Sequence, residues 1–244
     1  MKKILLLILL PFLYQFSPAQ DKEFEPAIAV KWAPTGLFWG SGSVQGEYSF
    51  TKKNSLTAKI GVPIGKNYHS MFHGKEIDLN MKAFSFLAGY RMYFSKQKKK
   101  LRGLYLEPFF QYVHHTTSGL GQTNLNSQPV NLNFTNTYNA FGIGAQLGIQ
   151  YIVAKRFVVD FFFLGPELNS ATNSFRAIDP SDSGSWDNIE ASQAESDIHD
   201  FLNQFPFIRN KVDVKVDKIN KTVNADFNGW LTGVRFGVSF GFTF

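Results

Sequence analysis

WLTGVRFGVSFGFTF, residues 230–244, is the stretch whose pattern decides the fold. Its even positions read Trp230, Thr232, Val234, Phe236, Val238, Phe240, Phe242 and Phe244; its odd positions read Leu231, Gly233, Arg235, Gly237, Ser239, Gly241 and Thr243. Successive side chains of a strand point to opposite faces, so one face is aromatic and aliphatic and the other small and polar. A strand that crosses a bilayer needs about 9–11 residues of this alternation, apolar toward lipid and polar toward the interior. The segment meets that requirement, and the greasy face is built largely from Phe.

The other end of the chain agrees. Lys2 and Lys3 precede an apolar run from Ile4 to Leu13, and Ser17-Pro18-Ala19-Gln20 follows. A charged start, about ten apolar residues and small residues at a cleavage point make a secretory signal peptide. The pattern predicts a signal peptide over 1–19, cleaved after Ala19, and a single domain over 20–244. The apolar run is too short for a membrane anchor, because a spanning helix needs about 20 apolar residues. With no cysteine there is neither a lipid-anchored Cys nor a disulfide framework.

No other stretch approaches the roughly 18 consecutive apolar residues of a spanning helix. Mean hydropathy is near neutral, as it is in transmembrane barrels, where lipid-facing and interior-facing residues cancel in any average. The 26 Phe suit a lipid-facing surface with interfacial girdles. The net charge of +6 falls by two when Lys2 and Lys3 leave, too mild a balance to indicate nucleic acid.

Seven further segments repeat the alternation, at about 26–38, 42–51, 55–64, 81–95, 103–115, 137–153 and 156–165. The predicted fold is therefore all-β: an eight-stranded antiparallel transmembrane up-and-down β-barrel. The links after strands two, four and six are short; those after three, five and seven, at about 65–80, 116–136 and 166–229, are long. Short turns on one side and long loops on the other are the mark of an outer-membrane barrel, with the short turns periplasmic. Lys52, Lys53, Lys96, Lys98, Lys99, Lys100, Arg102, Lys155 and Arg156 gather on the short turns. They either attract anionic headgroups or are solvated turn residues.

The link 166–229 is read as a long, partly helical extracellular loop inserted between strands seven and eight. Its first part, through Ser181–Ser185, reads as flexible. Asp187 is a candidate N-cap, and Ile198, Phe201, Leu202 and Phe205 share one face of a short helix that Pro206 ends. That face docks on the barrel mouth, lies on the membrane, or binds a partner. Val212, Val214 and Val216 alternate with charges, as in a strand extending the wall.

Seven charged residues fall on the predicted interior face: Lys31, Glu47, Lys59, Arg91, Glu107, Asp160 and Arg235. An eight-stranded barrel is just wide enough for side chains to fill it, and an unpaired buried charge is very costly. These residues are read as a structural network plugging the lumen, the alternative being a narrow ion path. Of the five histidines, His69 and His73 in one long loop and His114 and His115 at the outer end of strand five fall near one rim, a placement that permits a metal site. Their spacing is generic, and they are read as exposed loop residues. His114–Ser118 offers a His and a Ser without a nearby acid, and the histidine-x-serine-asparagine signature of outer-membrane lipid A deacylases does not occur. The expectation is no catalytic residue, no metal and no cofactor.

Ser17–Gln20, the glycine-alternating strand Phe141–Gly148 and the ending Arg235–Phe244 resemble the small Gram-negative outer-membrane β-barrel families of OmpA/OmpX-like architecture, many of uncharacterised function. The resemblance covers the mature chain except 166–229. It implies an outer-membrane address and an assembly signal in Phe240, Phe242 and Phe244, read by barrel-assembly machinery. Outer-membrane lipids and lipopolysaccharide would be its surroundings. The expected role is non-enzymatic: a structural and interaction scaffold whose extracellular loops, 166–229 above all, meet an extracellular or envelope protein partner. The alternatives are a narrow pore or transport component, and a lipid A-modifying envelope enzyme.

Overall fold

The computed structural model describes residues 25–72, 75–94, 100–125, 128–181, 184–203 and 211–244. The signal peptide expected over 1–19, His73, Lys96, Lys98, Lys99, Phe205 and Pro206 lie outside the described residues. The strands are β1 Ala27–Ala33, β2 Ser41–Ser49, β3 Asn54–Pro63, β4 Lys66–Phe72, β5 Lys75–Tyr93, β6 Gly103–Leu125, β7 Gln128–Val153, β8 Phe157–Ile178, β9 Val212–Asp217 and β10 Thr222–Thr243. Helix α1, Asn188–Asn203, stands between β8 and β9.

Eight strands, β1-β2-β3-β5-β6-β7-β8-β10, form an antiparallel ring that closes where β10 returns to β1. The seam pairs Ala29 with Thr243 and Trp32 with Phe240, and Phe244 N–H donates to Ile28 O at 2.8 Å. Closure leaves no free strand edge within the bilayer, where an unpaired backbone group has no water to turn to. The fold is the eight-stranded transmembrane barrel that the alternation predicts.

The outer surface locates the lipid. Ile28, Val30, Trp32, Leu56, Ile60, Ile143, Phe161, Phe163, Val234 and Phe236 are all exposed on it. One register row, Phe86–Tyr112–Phe141–Ser170–Trp230, marks the upper boundary, with the Tyr112 and Phe141 rings 4.7 Å apart. From Phe141 down to Tyr151 strand β7 covers the roughly 9–11 residues that a tilted crossing takes.

Above that row the wall continues and its polarity inverts. Asn131, Asn133 and Thr135 of β7 and Asp226 and Asn228 of β10 are exposed on the outside, while Val223, Ala225 and Phe227 are buried inside. Lipid bathes the outside below the row; above it the outside is polar and the inside forms an apolar core.

Several expected boundaries move for this reason. The predicted loops at 65–80 and 116–136 are largely strand: β4 pairs with β5, and β6 and β7 run on as one hairpin from Gly103–Gln150 to Leu125–Gln128. Segment 166–229 is likewise not all loop. Strand β8 runs through Ile178, and β10 begins at Thr222 and pairs with it from there. Strand β1, expected to reach 38, stops at Ala33. Pro34 has no N–H for the ladder, and Pro34–Trp39 forms a 3-10 turn ending at left-handed Gly40, φ 70°.

Candidate functional site

Every one of the seven charged residues read as interior lies on the inner wall, contributed by β1, β2, β3, β5, β6, β8 and β10. Lys31, Glu47, Arg91, Glu107 and Asp160 are at most 2 % exposed. Alternation delivers them: each is flanked along its strand by a lipid-facing neighbour, such as Val30 and Trp32 around Lys31.

The lower layer is a closed ion network. Lys31 Nζ donates to Glu47 Oε2 at 2.7 Å, Asp160 Oδ2 at 2.8 Å and Gln150 Oε1 at 2.8 Å. Arg91 Nε reaches Glu107 Oε2 at 2.7 Å, and its Nη1 reaches Asp160 Oδ2 at 2.8 Å and Glu47 Oε2 at 3.2 Å. The second oxygens are taken by hydroxyls: Ser55 and Tyr93 donate to Glu47 Oε1, each at 2.6 Å, Tyr105 to Asp160 Oδ1 at 2.7 Å, and Thr57 to Glu107 Oε1. The Arg91 guanidinium stacks over the Tyr105 ring at 4.0 Å. Charges buried this deeply persist only when paired and hydrogen-bonded, and these are.

A second layer sits above it. Arg235 Nη1 donates to Gln111 Oε1 at 3.0 Å, and its Nε lies 3.8 Å from Glu167 Oε2. Glu167 also accepts from Gln111 Nε2 at 2.9 Å and Asn169 Nδ2 at 3.0 Å. Lys59 stands over the Phe162 ring at 5.8 Å, as does Arg235. Glu167 is the interior acid that the sequence reading missed, because it ended strand seven at 165. With Glu167 these two layers hold, among the described residues, four cations and four anions.

Glycines let these layers fill the lumen. A Cβ at Gly148 would collide with the Tyr105 ring, one at Gly144 would lie 2.6 Å from Phe109, and one at Gly237 2.6 Å from Phe162. Each of these gaps is filled by an aromatic of the adjacent strand, the residue paired with the glycine in register. The two layers fill the lumen from several strands with paired charges and aromatic rings.

Among the described residues the histidines do not converge. His114 and His115 are consecutive on β6 and so face opposite sides: His114 Nδ1 lies 2.7 Å from Asn139 Oδ1 outside, and His115 packs edge-on against Trp39 at 6.1 Å inside. His69 pairs with Asp78 across β4 and β5. Among the described residues no group of three or more His, Asp or Glu could hold a metal ion.

At the upper end β6, β7, β8, β9 and β10 carry a cap. Asp187 caps helix α1, accepting from the N–H groups of Ile189 at 2.7 Å and Glu190 at 2.8 Å, while Glu190 Oε2 accepts from the Asp187 N–H at 2.9 Å. This is a reciprocal capping box. Trp186, Ala194 and Ile198 pack with Leu125, Val223, Val214 and Val216 into a small core. Of the helix face read from sequence, Ile198 lies in that core; Phe201 and Leu202 are on the helix and their side chains are not described, and Phe205 is outside the described residues. The buried face also uses Ala191 and Ala194, too weakly apolar to stand out in sequence. Phe240 and Phe242 lie at the β1–β10 seam with Phe244, where the Phe157 ring meets both Phe240 and Phe242.

A polar knot ties the cap together. Asp179 accepts from the Trp186 indole at 3.1 Å and from the Ser181 N–H at 2.8 Å, and Lys221 Nζ lies 3.6 Å away. Burial works against the carboxylate, but these donors and the lysine prevail and hold the Asp179 carboxyl below its usual range. Beside the knot lies a cleft of about 480 Å³, lined by Gln128–Asn131, Asp179–Ser181, Trp186 and Glu190.

No protein-family model and no curated protein matches the chain. Among solved structures, CarO of Acinetobacter baumannii is similar with 10% identity, a TM-score of 0.39, and coverage of 90% of this chain and 97% of that chain. Ail, the attachment invasion locus protein of Yersinia pestis, is similar with 11% identity, a TM-score of 0.31, and coverage of 90% and 96%. Its complex with the heparin analogue sucrose octasulfate gives 10% identity and a TM-score of 0.32 over the same shares. The barrel assignment rests on the strand register of this chain.

Proposed function

We propose that the chain is an exported outer-membrane protein whose sealed barrel acts as a structural and interaction scaffold, holding a folded cap above the membrane for contact with an extracellular or envelope protein. The observation that carries this reading is the ion network: Lys31, Arg91, Glu47 and Asp160 meet within 3.2 Å across the lumen. Charges that pair with one another in the bore leave the cap as the part able to bind. In this reading outer-leaflet lipids and lipopolysaccharide surround the belt, and Phe240, Phe242 and Phe244 serve the assembly machinery as its recognition signal. The reading assigns no catalytic residue and no cofactor.

Planar-bilayer recording of the purified full chain tests it: the expected result is no unitary conductance. Regular steps that disappear on changing Lys59 or Arg235 would instead establish the narrow pore. Mass spectrometry of lipid A from cells with and without the gene addresses catalysis, with identical spectra expected.

A further inference from the structure

The cleft in the cap has an unusual lining. Gln128, Pro129, Val130 and Asn131 all border it, four consecutive residues of one strand. A strand shows only every second side chain on a given face, so consecutive lining residues mean that the backbone edge of β7 faces the cleft.

The ladders explain why that edge is open. The β6–β7 ladder continues to Leu125–Gln128, whereas the β7–β8 ladder stops at Asn133–Ile178. Beyond Ile178 the chain turns away through Asp179 and Pro180, and Asp179 N–H is taken by Lys221 O at 3.0 Å. Residues 128–132 are therefore paired on one side, and among the described residues no strand takes the other. An open edge beside a cleft is the geometry of strand addition, in which main-chain bonds bind and alternate side chains discriminate.

The cap contains its own precedent. Strand β9, VDVKVD, adds to the edge of β10 in the same cap, turning Val214 and Val216 into the core around Trp186 and its charged residues outward. Val130 and Leu132 on the open edge pack against that same core, and Asn131 is exposed outside. We infer that the cleft between β7 and Asp179–Ser181 is a docking site for an extended peptide segment of a partner protein, one with alternating apolar and polar residues, which pairs antiparallel or parallel with residues 128–132. The inference deepens the scaffold reading and rests on it.

The test uses the full chain folded in nanodiscs and two labelled synthetic hexapeptides, VDVKVD and TVTVTV. Saturable binding is expected, with slowed hydrogen exchange at those amides of residues 130–132 whose N–H groups alternate away from β6 toward the cleft. Of the two alternately N-methylated forms of the binding peptide, one should lose about tenfold or more in affinity, since a strand presents alternate N–H groups to each neighbour. Neither peptide slowing those amides overturns the proposal, as does equal binding by both methylated forms. Protection that appears without peptide and grows with protein concentration, alongside a doubled mass, would assign the edge to a second copy and also overturn it. The barrel itself is read separately by gel mobility and conductance, so failure here leaves the sealed scaffold standing.

Discussion

Arg91 touches three carboxylates, Glu107 at 2.7 Å, Asp160 at 2.8 Å and Glu47 at 3.2 Å, and each of these has a hydroxyl donor as well. Glu107→Ala removes the partner of Arg91 Nε and of Gln146 Nε2 and leaves a buried cation undercompensated, which costs about 3–5 kcal/mol. Urea unfolding of the variant in lipid should show that loss, with conductance unchanged. A variant as stable as the parent but conducting would contradict the sealed interior. The glycines give a paired comparison. Gly148→Ala drives a methyl against Tyr105, which Asp160 pins, and overpacking of this kind costs about 1–3 kcal/mol. Gly46→Ala meets nothing within 4 Å, so its change should stay within about 0.5 kcal/mol. All seven interior charges could be read from the sequence because each interrupts an apolar alternation. Glu167 could not, because β8 carries one extra residue between Phe162 and Leu164, which moves its inward positions from even to odd just before Glu167.

At the scale of the element, helix α1 and the knot beside it govern the cap. Asp187→Ala removes the acceptor for two N–H groups and should cost about 1 kcal/mol of helix stability. Hydrogen exchange across 188–203 should then quicken while the β6–β8 ladders stay protected. Asp179 gives the cap a pH dependence of known sign. Its folded pKa lies below the unfolded value, about 3.9, so its contribution is present above that pH and is lost as the pH falls through the folded value. Cap exchange rates should therefore rise below about pH 4, and Asp179→Asn should flatten that rise; an unchanged profile in the variant would place the acid sensitivity elsewhere. Elements above the membrane were the least legible part of the chain. A search for strands that follows one apolar face stops at Phe141 and Trp230, where the apolar residues cross to the other face. Read alone, Val130, Leu132 and Phe134 alternate as regularly as Phe141 to Tyr151, with the opposite side inward.

For the whole molecule the weak line is the seam. Strand β1 pairs with β10 only from Ala29–Thr243 to Trp32–Phe240, whereas β8 and β10 pair from Thr222–Ile178 down to Phe242–Phe157. Removing residues 241–244 takes away the partners of Ala29–Lys31 and the Phe244–Ile28 bonds. The expected result is loss of the fast-migrating unboiled form on gels and of protein in outer-membrane fractions; full assembly of the truncated chain would show that closure does not depend on this end. What the sequence determined by itself is the barrel: strand period, strand number, the side on which short turns fall and the residues facing inward all follow from a two-residue alternation, which is local. Only the tertiary structure decided the rest. The balance of the interior depends on Glu167 meeting Arg235 of the neighbouring strand, and the cap depends on which strands outlast their neighbours above the bilayer. Both are consequences of register between distant segments, and no single segment carries its partner's register in its own pattern.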